Sequence, residues 1–223
     1  MGSTEKRLAL VYRGPASLPG CPEAVAALIR GSRWDLDVRY VGPREHLHLA
    51  PSALSDAVLY AQPGGGELGR AFRRLRRHSS TIQDFVRSGG RYLGFCLGAY
   101  LAGRTPGFDL LPGDTDQYIA SAGAGTTTAE ETVVDVQWGR QVRTLYFEDG
   151  PYIVLDEGRP AEVLARYDNG LPAAVVAAYG RGAVGVVGPH PEATPDWFTD
   201  AGLVPPRPLG LDLGIDLVDR VMA

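Results

Sequence analysis

Short apolar runs and amphipathic segments alternate along the first half of the chain. The runs within Lys6–Arg13, Asp56–Gln62 and Arg91–Phe95 are nearly continuously apolar, which is typical of strands buried on both faces of a parallel sheet. A further strand is predicted over Asp35–Val41, and apolar residues at helical spacing predict helices between the strands. The alternation indicates a parallel sheet covered by helices. The predicted helices are Pro22–Arg30, Glu67–His78, Thr81–Ser88 and a short helix from Leu97 to Gly103.

The pattern changes in the second half of the chain. Thr105–Thr128 is rich in Pro, Gly and Asp, and we expect it to form a mobile flap that adds little to the core. Beyond it, short apolar segments alternate with glycine-containing turns, which predicts antiparallel hairpins. A last helix over Leu211–Met222 is expected to pack against the sheet. The predicted strands are Glu131–Trp138, Gln141–Phe147, Tyr152–Leu155, Glu162–Tyr167, Ala173–Tyr179 and Ala183–Gly188.

Composition and charge narrow the class of protein. The chain has 223 residues, a net charge of −4 and two cysteines, Cys21 and Cys96. We therefore expect a single domain over 1–223, without an extensive nucleic-acid-binding surface or a disulfide framework. No apolar run reaches the length of about 18 residues that spans a membrane, and Met1–Arg7 is too polar for a secretory signal. These features favour a cytoplasmic protein with reduced thiols and no membrane partner.

Cys96 lies in the segment with the clearest chemical signature. The sequence Gly94-x-Cys96-x-Gly98 connects a predicted strand to a predicted helix of small residues. A sharp strand-to-helix turn exposes the side chain at its centre and directs the first free N–H groups of the helix at the group that this side chain attacks. The flanking glycines relieve crowding, and the helix dipole favours the thiolate. We interpret Cys96 as a nucleophile; a buried structural cysteine is the alternative.

A run of glycines follows the predicted strand Asp56–Gln62. Pro63–Gly66 comes directly after Asp56–Gln62, where a glycine-rich backbone can approach a ligand and present its N–H groups. A phosphate-binding loop is the obvious alternative, but the run lacks the Gly-Lys-Ser/Thr ending. An oxyanion hole fits better, with the N–H groups of Gly65 or Gly66 and of Leu97 as donors.

A histidine and a glutamate near the carboxyl end of the chain supply a partner for the cysteine. In Gly188–Glu192, Pro191 favours an extended conformation for His190. Residues two apart in an extended segment point the same way, so His190 and Glu192 share one side. A general base and a carboxylate that orients it would thus arrive together, as a Cys–His–acid triad requires. The alternative is a turn with an incidental histidine.

Two other groups of residues are weaker candidates for a functional role. Arg70 lies nearest the glycine run on the predicted helix Glu67–His78 and is a candidate to hold a substrate carboxylate. The arginine stripe of that helix is more simply interpreted as a solvated face. His46 and His48, in the polar connection Gly42–Ser55, form a conceivable metal pair. With no third ligand nearby in sequence, we expect neither a metal nor another cofactor.

These motifs together resemble the class I glutamine amidotransferase-like superfamily. A closer resemblance is to the N-terminal domain of biotin protein ligases and its stand-alone bacterial relatives, and it extends over nearly the whole chain. The resemblance implies a flavodoxin-like three-layer α/β sandwich with a mostly parallel central sheet, to which the C-terminal half adds antiparallel strands. The segments that carry it are Tyr12–Pro15, Pro63–Gly66, Gly89–Tyr100, Tyr146–Pro151 and Gly188–Glu192.

The resemblance also implies roles for individual residues. The superfamily's triad carries over onto Cys96, His190 and Glu192. Gly64, Tyr100 and Asp149 are further candidates for substrate contact. Asp114, Asp116, Gln117 and Tyr118 are candidates to line the same cleft. Because the chain ends at Ala223, we do not expect the biotin-transferring catalytic domain of the ligases, and biotinylation is not implied.

The sequence therefore favours a cysteine-dependent amidohydrolase or acyl transferase. Its substrate would be a small amide or acyl compound that forms a thioester with Cys96, and water or an amine acceptor would release the acyl group. The principal alternative is a non-catalytic binding or regulatory module that keeps the cleft. Another chemistry on the same scaffold, such as hydration or a glyoxalase-type reaction, is a third possibility. Substrate identity and oligomeric state stay open.

Overall fold

A computed structural model describes residues 6–223, and these residues form eleven strands and seven α-helices. The expectation for Met1–Arg7 thus falls almost wholly outside the described residues. The strands are β1 Leu8–Tyr12, β2 Asp37–Val41, β3 Ala57–Gln62, β4 Arg91–Phe95, β5 Gly113–Gln117, β6 Thr132–Trp138, β7 Gln141–Phe147, β8 Pro151–Leu155, β9 Glu162–Tyr167, β10 Pro172–Tyr179 and β11 Gly182–Val187. The helices are α1 Cys21–Arg30, α2 Pro51–Ser55, α3 Leu68–Leu75, α4 Ser79–Arg87, α5 Leu97–Ala102, α6 Pro195–Asp200 and α7 Leu211–Met222.

Nine of the strands form one mixed sheet in the order β2-β1-β3-β4-β11-β10-β9-β6-β7. The first five strands are parallel, and their order is that of a flavodoxin-like sheet. The last four extend the sheet through antiparallel pairs, which include the β10–β11 and β6–β7 hairpins. The predicted mixture of parallel and antiparallel strands is therefore confirmed.

Helices cover the parallel half of the sheet on both faces. On one face α1 and α7 pack together against the strands, with Ile29 and Leu217 fully buried. On the other face α2 to α5 bury Leu54, Val86 and Leu101 against the opposite side. The predicted three-layer arrangement is confirmed. Within residues 6–223, no helix combines the length and the apolar character needed to cross a membrane.

The segment Thr105–Thr128 differs from the predicted flap. Phe108, Leu110 and Tyr118 are completely buried, so the expectation of few core residues is wrong. The segment also contains β5, which pairs with β8 as a separate antiparallel ribbon. The sequence of β5, Gly-Asp-Thr-Asp-Gln, lacks the apolar alternation of a strand. The segment nevertheless forms a strand because it pairs with β8, which is distant in sequence.

Smaller differences concern the helices. The connection Gly42–Ser55 contains α2, a single turn begun by Pro51, and it buries Leu54. The predicted helix Glu67–His78 is shorter: Glu67 is its N-cap, and a 3-10 turn over Arg76–His78 separates α3 from α4. The helix α6 was not predicted, since its six residues are too few to show a periodic pattern.

Candidate active site

Cys96 occupies a sharp turn between β4 and α5, as predicted. Its backbone has φ 46° and ψ −102°, a strained conformation for a residue with a side chain. A Cβ atom on Gly98 would lie 2.0 Å from the carbonyl oxygen of Gln62, and one on Gly94 would lie 2.4 Å from the carbonyl oxygen of Gly98. Only glycine fits at both positions, because the atoms in the way belong to the backbone.

The folded chain brings His190 to the cysteine. Gly64, Cys96 and His190 follow β3, β4 and β11, which are neighbouring parallel strands whose carboxyl ends meet at one edge of the sheet. The position of a Cβ atom on Gly64 lies 2.6 Å from His190 Cε1 and 3.4 Å from Cys96 Cβ. Both side chains therefore lie against the same glycine.

Glu192 orients the imidazole of His190. The Nδ1 atom of His190 lies 2.9 Å from Oε1 of Glu192, and the two residues are 3% and 0% exposed. With a proton on Nδ1 donated to this carboxylate, Nε2 is left as the acceptor for a thiol proton. The ring packs edge-on against Tyr146 and against Trp197 of α6, at 5.9 and 5.4 Å between ring centres. These aromatic contacts were not predicted from the sequence.

The environment of His190 favours its protonated form. Burial by itself lowers the pKa, but the negative charges of Glu192 and Cys96 act in the opposite direction, and the net effect raises the pKa of His190 well above 6.5. An imidazole with a raised pKa is a better acceptor for the proton of a thiol. This is the property that a cysteine nucleophile requires of its general base.

Replacing Glu192 by Gln is expected to lower the pKa of His190, because burial then acts with less opposition. The folded-state pKa of His190 lies above its unfolded value, so its contribution to stability is complete below pH 6.5 and is lost as pH rises through the folded pKa. In the Glu192→Gln variant, less stability should therefore be lost as the pH rises above 6.5. NMR titration of the imidazole and urea unfolding at several pH values measure both effects. If the titration of His190 is the same in the Glu192→Gln variant, the two side chains are not coupled. The control is Glu157→Gln, on an exposed turn, which should leave the titration of His190 unchanged.

The thiol and the predicted oxyanion donors line one cleft of about 590 Å³. Cys96 is 7% exposed, and its Sγ donates to the carbonyl oxygen of Glu148 at 3.4 Å. Gly65 and Gly66 adopt φ values of 95° and 90°, and they line the cleft together with Leu97. Among residues 6–223, the N–H groups of these three residues have no hydrogen-bond acceptor. Their proposed role as donors to an oxyanion stays a prediction.

The predicted substrate-binding residues occupy different positions. Tyr100 and Asp149 line the cleft, whereas Gly64 lies beneath it against His190. Arg70 is exposed, with its Nε 3.6 Å from Glu67, and does not contribute to the lining. The structure thus places Tyr100 and Asp149 beside the thiol and leaves Arg70 outside the cleft.

Acidic and amide side chains form the wall of the cleft opposite the glycine loop. Both carboxylate oxygens of Asp149 accept hydrogen bonds from Nε2 of Gln117, at 2.8 and 3.0 Å. Burial raises the pKa of Asp149 and of its neighbour Glu148. Of the residues expected here, Asp116 and Gln117 at the end of β5 line the cleft, and Asp114 does not. Tyr118 points elsewhere and is buried in the core.

Comparisons with known proteins agree with this architecture. Residues 8–117 match the family model described as biotin-protein ligase, N terminal, a range that includes Cys96 and the glycine loop but neither His190 nor Glu192. A crystal structure of a glutamine amidotransferase is similar at a TM-score of 0.61 and 19% identity, covering 87% of this chain and 100% of that one. A glutamine amidotransferase from Thermotoga maritima is similar at 0.62 and 14%, covering 97% and 98%.

A cytoplasmic protein from Salmonella typhimurium is also similar, with a TM-score of 0.54 and 13% identity over 96% of this chain and 99% of that one. A comparison with curated proteins gives no match. The fold is that of the glutamine amidotransferase-like α/β proteins. Within this fold, residues 8–117 are similar to the N-terminal domain of biotin-protein ligases.

Proposed function

We propose that this protein is a cysteine-dependent amidohydrolase or acyl transferase that acts on a small amide or acyl compound. One observation carries the proposal: the Cys96 turn and the buried His190–Glu192 pair meet at neighbouring strand ends, with His190 Nδ1 2.9 Å from Glu192. Nucleophile, base and orienting carboxylate are the three parts of a Cys–His–acid triad. The glutamine amidotransferase-like fold supports the same class of chemistry.

The reaction would proceed through a thioester. Nε2 of His190 accepts the proton of the Cys96 thiol while the sulfur attacks the substrate carbonyl carbon. The N–H groups of Gly65 or Gly66 and of Leu97 stabilise the negative oxygen of the tetrahedral intermediate. As the C–N bond breaks, His190 returns the proton to the leaving amine. Water, or an amine acceptor, then attacks the thioester and restores the thiol.

The position of the thiol also bears on the alternative of a non-catalytic module. The Sγ of Cys96 donates to the carbonyl oxygen of Glu148 and is largely buried. The same side chain also acts on His190 through a hydrogen bond and its charge, both of which raise the pKa of the imidazole. Hydrogen bonds of catalytic groups often become aligned only when substrate is bound. A module that only binds ligands would have no need of a thiol that acts on a buried imidazole.

Intact-mass screening against libraries of small amides and esters tests the proposal. The wild type is expected to gain the mass of an acyl group on Cys96, and Cys96→Ser is expected to retain the acyl group longer as an oxygen ester. Cys96→Ala should gain no such mass and serves as the control. Adducts that form equally on Cys96→Ala, or amide turnover that continues in this variant, would contradict the thioester mechanism.

A further inference from the structure

A second cavity, of about 540 Å³, lies on the same edge of the sheet as the thiol but shares no lining residue with the thiol cleft. Tyr12 at the end of β1 and the segment 42–43 after β2 form one side of it. Arg73 and Arg74 of α3 and Arg77 of the following 3-10 turn form the other side. In flavodoxin-like sheets, the crevice between β1 and β3 is the place where chain connections diverge to opposite faces and ligands bind.

Among the residues that the structure describes, no carboxylate neutralises the positive charge of this cavity. Within residues 6–223, Arg73, Arg74 and Arg77 form no ion pair, and no carboxylate lines the cavity. The nearby Glu45 is engaged by Arg13, with its two carboxylate oxygens 2.8 and 2.9 Å from the guanidinium. In a chain of net charge −4, these three exposed guanidinium groups surround one cavity that has no carboxylate among its lining residues.

Other side chains of the cavity add hydrogen-bonding groups. The ring of His78 accepts a hydrogen bond at Nε2 from Nε of Arg77 at 3.0 Å, which holds this guanidinium in place. Burial raises the pKa of Tyr12, whereas the charges of Arg74 and Arg77 act on its hydroxyl in the opposite direction. The hydroxyl therefore lies within the electrostatic reach of both arginines. His48 lines the same cavity and can donate or accept a hydrogen bond.

We propose that this cavity binds the phosphoryl group of a small phosphorylated molecule. Guanidinium groups pair with phosphate oxygens in a two-point geometry, and a doubly charged anion compensates several of them at once. The volume of the cavity lies within the range of small-ligand pockets, about 300–1,000 Å³. A nucleic acid fits less well, because it would need an extended basic surface and not one concave site in an acidic protein.

The loop between β1 and α1 connects the two cavities. Pro15 lines the basic cavity and Leu18 lines the thiol cleft. The N–H of Leu18 donates to the carbonyl oxygen of Gly64 at 3.3 Å, and Gly64 contacts both His190 and Cys96. The proposed phosphoryl site is thus separate from the thiol cleft but adjacent to it, and its existence does not depend on the proposed reaction.

Isothermal titration calorimetry with inorganic pyrophosphate at constant ionic strength tests the site. The wild type should bind one equivalent, and the triple variant Arg73→Gln, Arg74→Gln, Arg77→Gln should bind at least tenfold more weakly. A control with the same change in charge, at exposed positions outside the cavity, should stay within twofold of the wild type. Thermal melting of each variant without ligand verifies folding. The control combines Arg76→Gln, Arg159→Gln and Arg181→Gln.

NMR locates the bound ligand. Pyrophosphate should shift the imidazole resonances of His48 and His78 and leave those of His190 unchanged. Three results would overturn the proposal: equal weakening in the two triple variants, no saturable binding to the wild type, or a single-stranded oligonucleotide that binds more tightly than pyrophosphate. The first of these indicates general electrostatics, and the last indicates a nucleic-acid surface.

Discussion

Cys96 is expected to react with iodoacetamide at least about 10²-fold faster than Cys21, and His190→Ala should remove most of this difference. The thiolate is the reactive form of a cysteine, and a neighbouring imidazole that accepts the proton supplies it. Burial raises the pKa of the Cys21 thiol, so this residue serves as an internal reference for an unreactive thiol. Peptide mapping of the alkylated protein at successive times measures both rates in one sample.

His46→Ala is the matched control for this labelling experiment, because His46 is exposed and lies outside both cavities. It should leave the labelling rate of Cys96 unchanged. If Cys96 reacts as slowly as Cys21, or if His190→Ala leaves its rate unaltered, His190 does not activate the thiol. The non-catalytic module would then be the better interpretation of the cleft.

Gly98→Ala is expected to destabilise the protein by at least about 3 kcal/mol. The added methyl group would lie 2.0 Å from the carbonyl oxygen of Gln62, and an atom of the β3 backbone cannot turn aside as a flexible side chain would. Relief requires α5 to move away from β3, and Cys96 moves with it. Urea unfolding followed by circular dichroism measures the loss of free energy.

Gly31→Ala provides the comparison for this prediction. Gly31 follows α1 with φ −75°, and the nearest atom to an added methyl group is 3.4 Å away. The unfolding free energy of Gly31→Ala should therefore change by only about 1 kcal/mol or less. A Gly98→Ala protein as stable as the wild type would show that α5 and β3 are not packed as closely as described.

The Cys96 turn could be predicted because its information is local. A buried strand, two glycines around a cysteine and a helix of small residues occupy consecutive positions, and each requirement of the turn appears as a residue type. The shared side of His190 and Glu192 is equally local, since it follows from an extended backbone next to Pro191. In both cases short-range stereochemistry decides which way the side chains point.

Long-range pairing explains what the sequence did not reveal. The strand β5 has no apolar alternation and forms through its pairing with β8, which also brings Gln117 to Asp149 at the cleft. The edge-on contact of Trp197 with His190 depends on where α6 lies relative to the sheet. Neither contact involves residues that are close in sequence, so neither produces a periodic signal.

The arginine stripe of the predicted helix Glu67–His78 shows a different limit of prediction from sequence. A polar stripe opposite an apolar stripe is the usual pattern of a solvated helix face, and all four arginines of this stripe are exposed, namely Arg70, Arg73, Arg74 and Arg77. Arg73, Arg74 and Arg77 also line a cavity whose other side is formed by loops that follow β1 and β2. The helical pattern predicts which side chains lie away from the sheet, but the neighbouring loops decide whether that side is open solvent or a cavity.

The sequence by itself indicated the class of fold through its alternation of strand and helix patterns. It also determined the strand–turn–helix geometry at Cys96 and the pairing of His190 with Glu192, because each of these depends on contacts between nearby residues. Only the tertiary structure decided that β4 and β11 are neighbours, and hence that the imidazole comes to lie beside the sulfur. The physical reason is that strand order is set by the packing of two helical layers and by backbone hydrogen bonds between distant segments. Those interactions have no counterpart in the local pattern of residues.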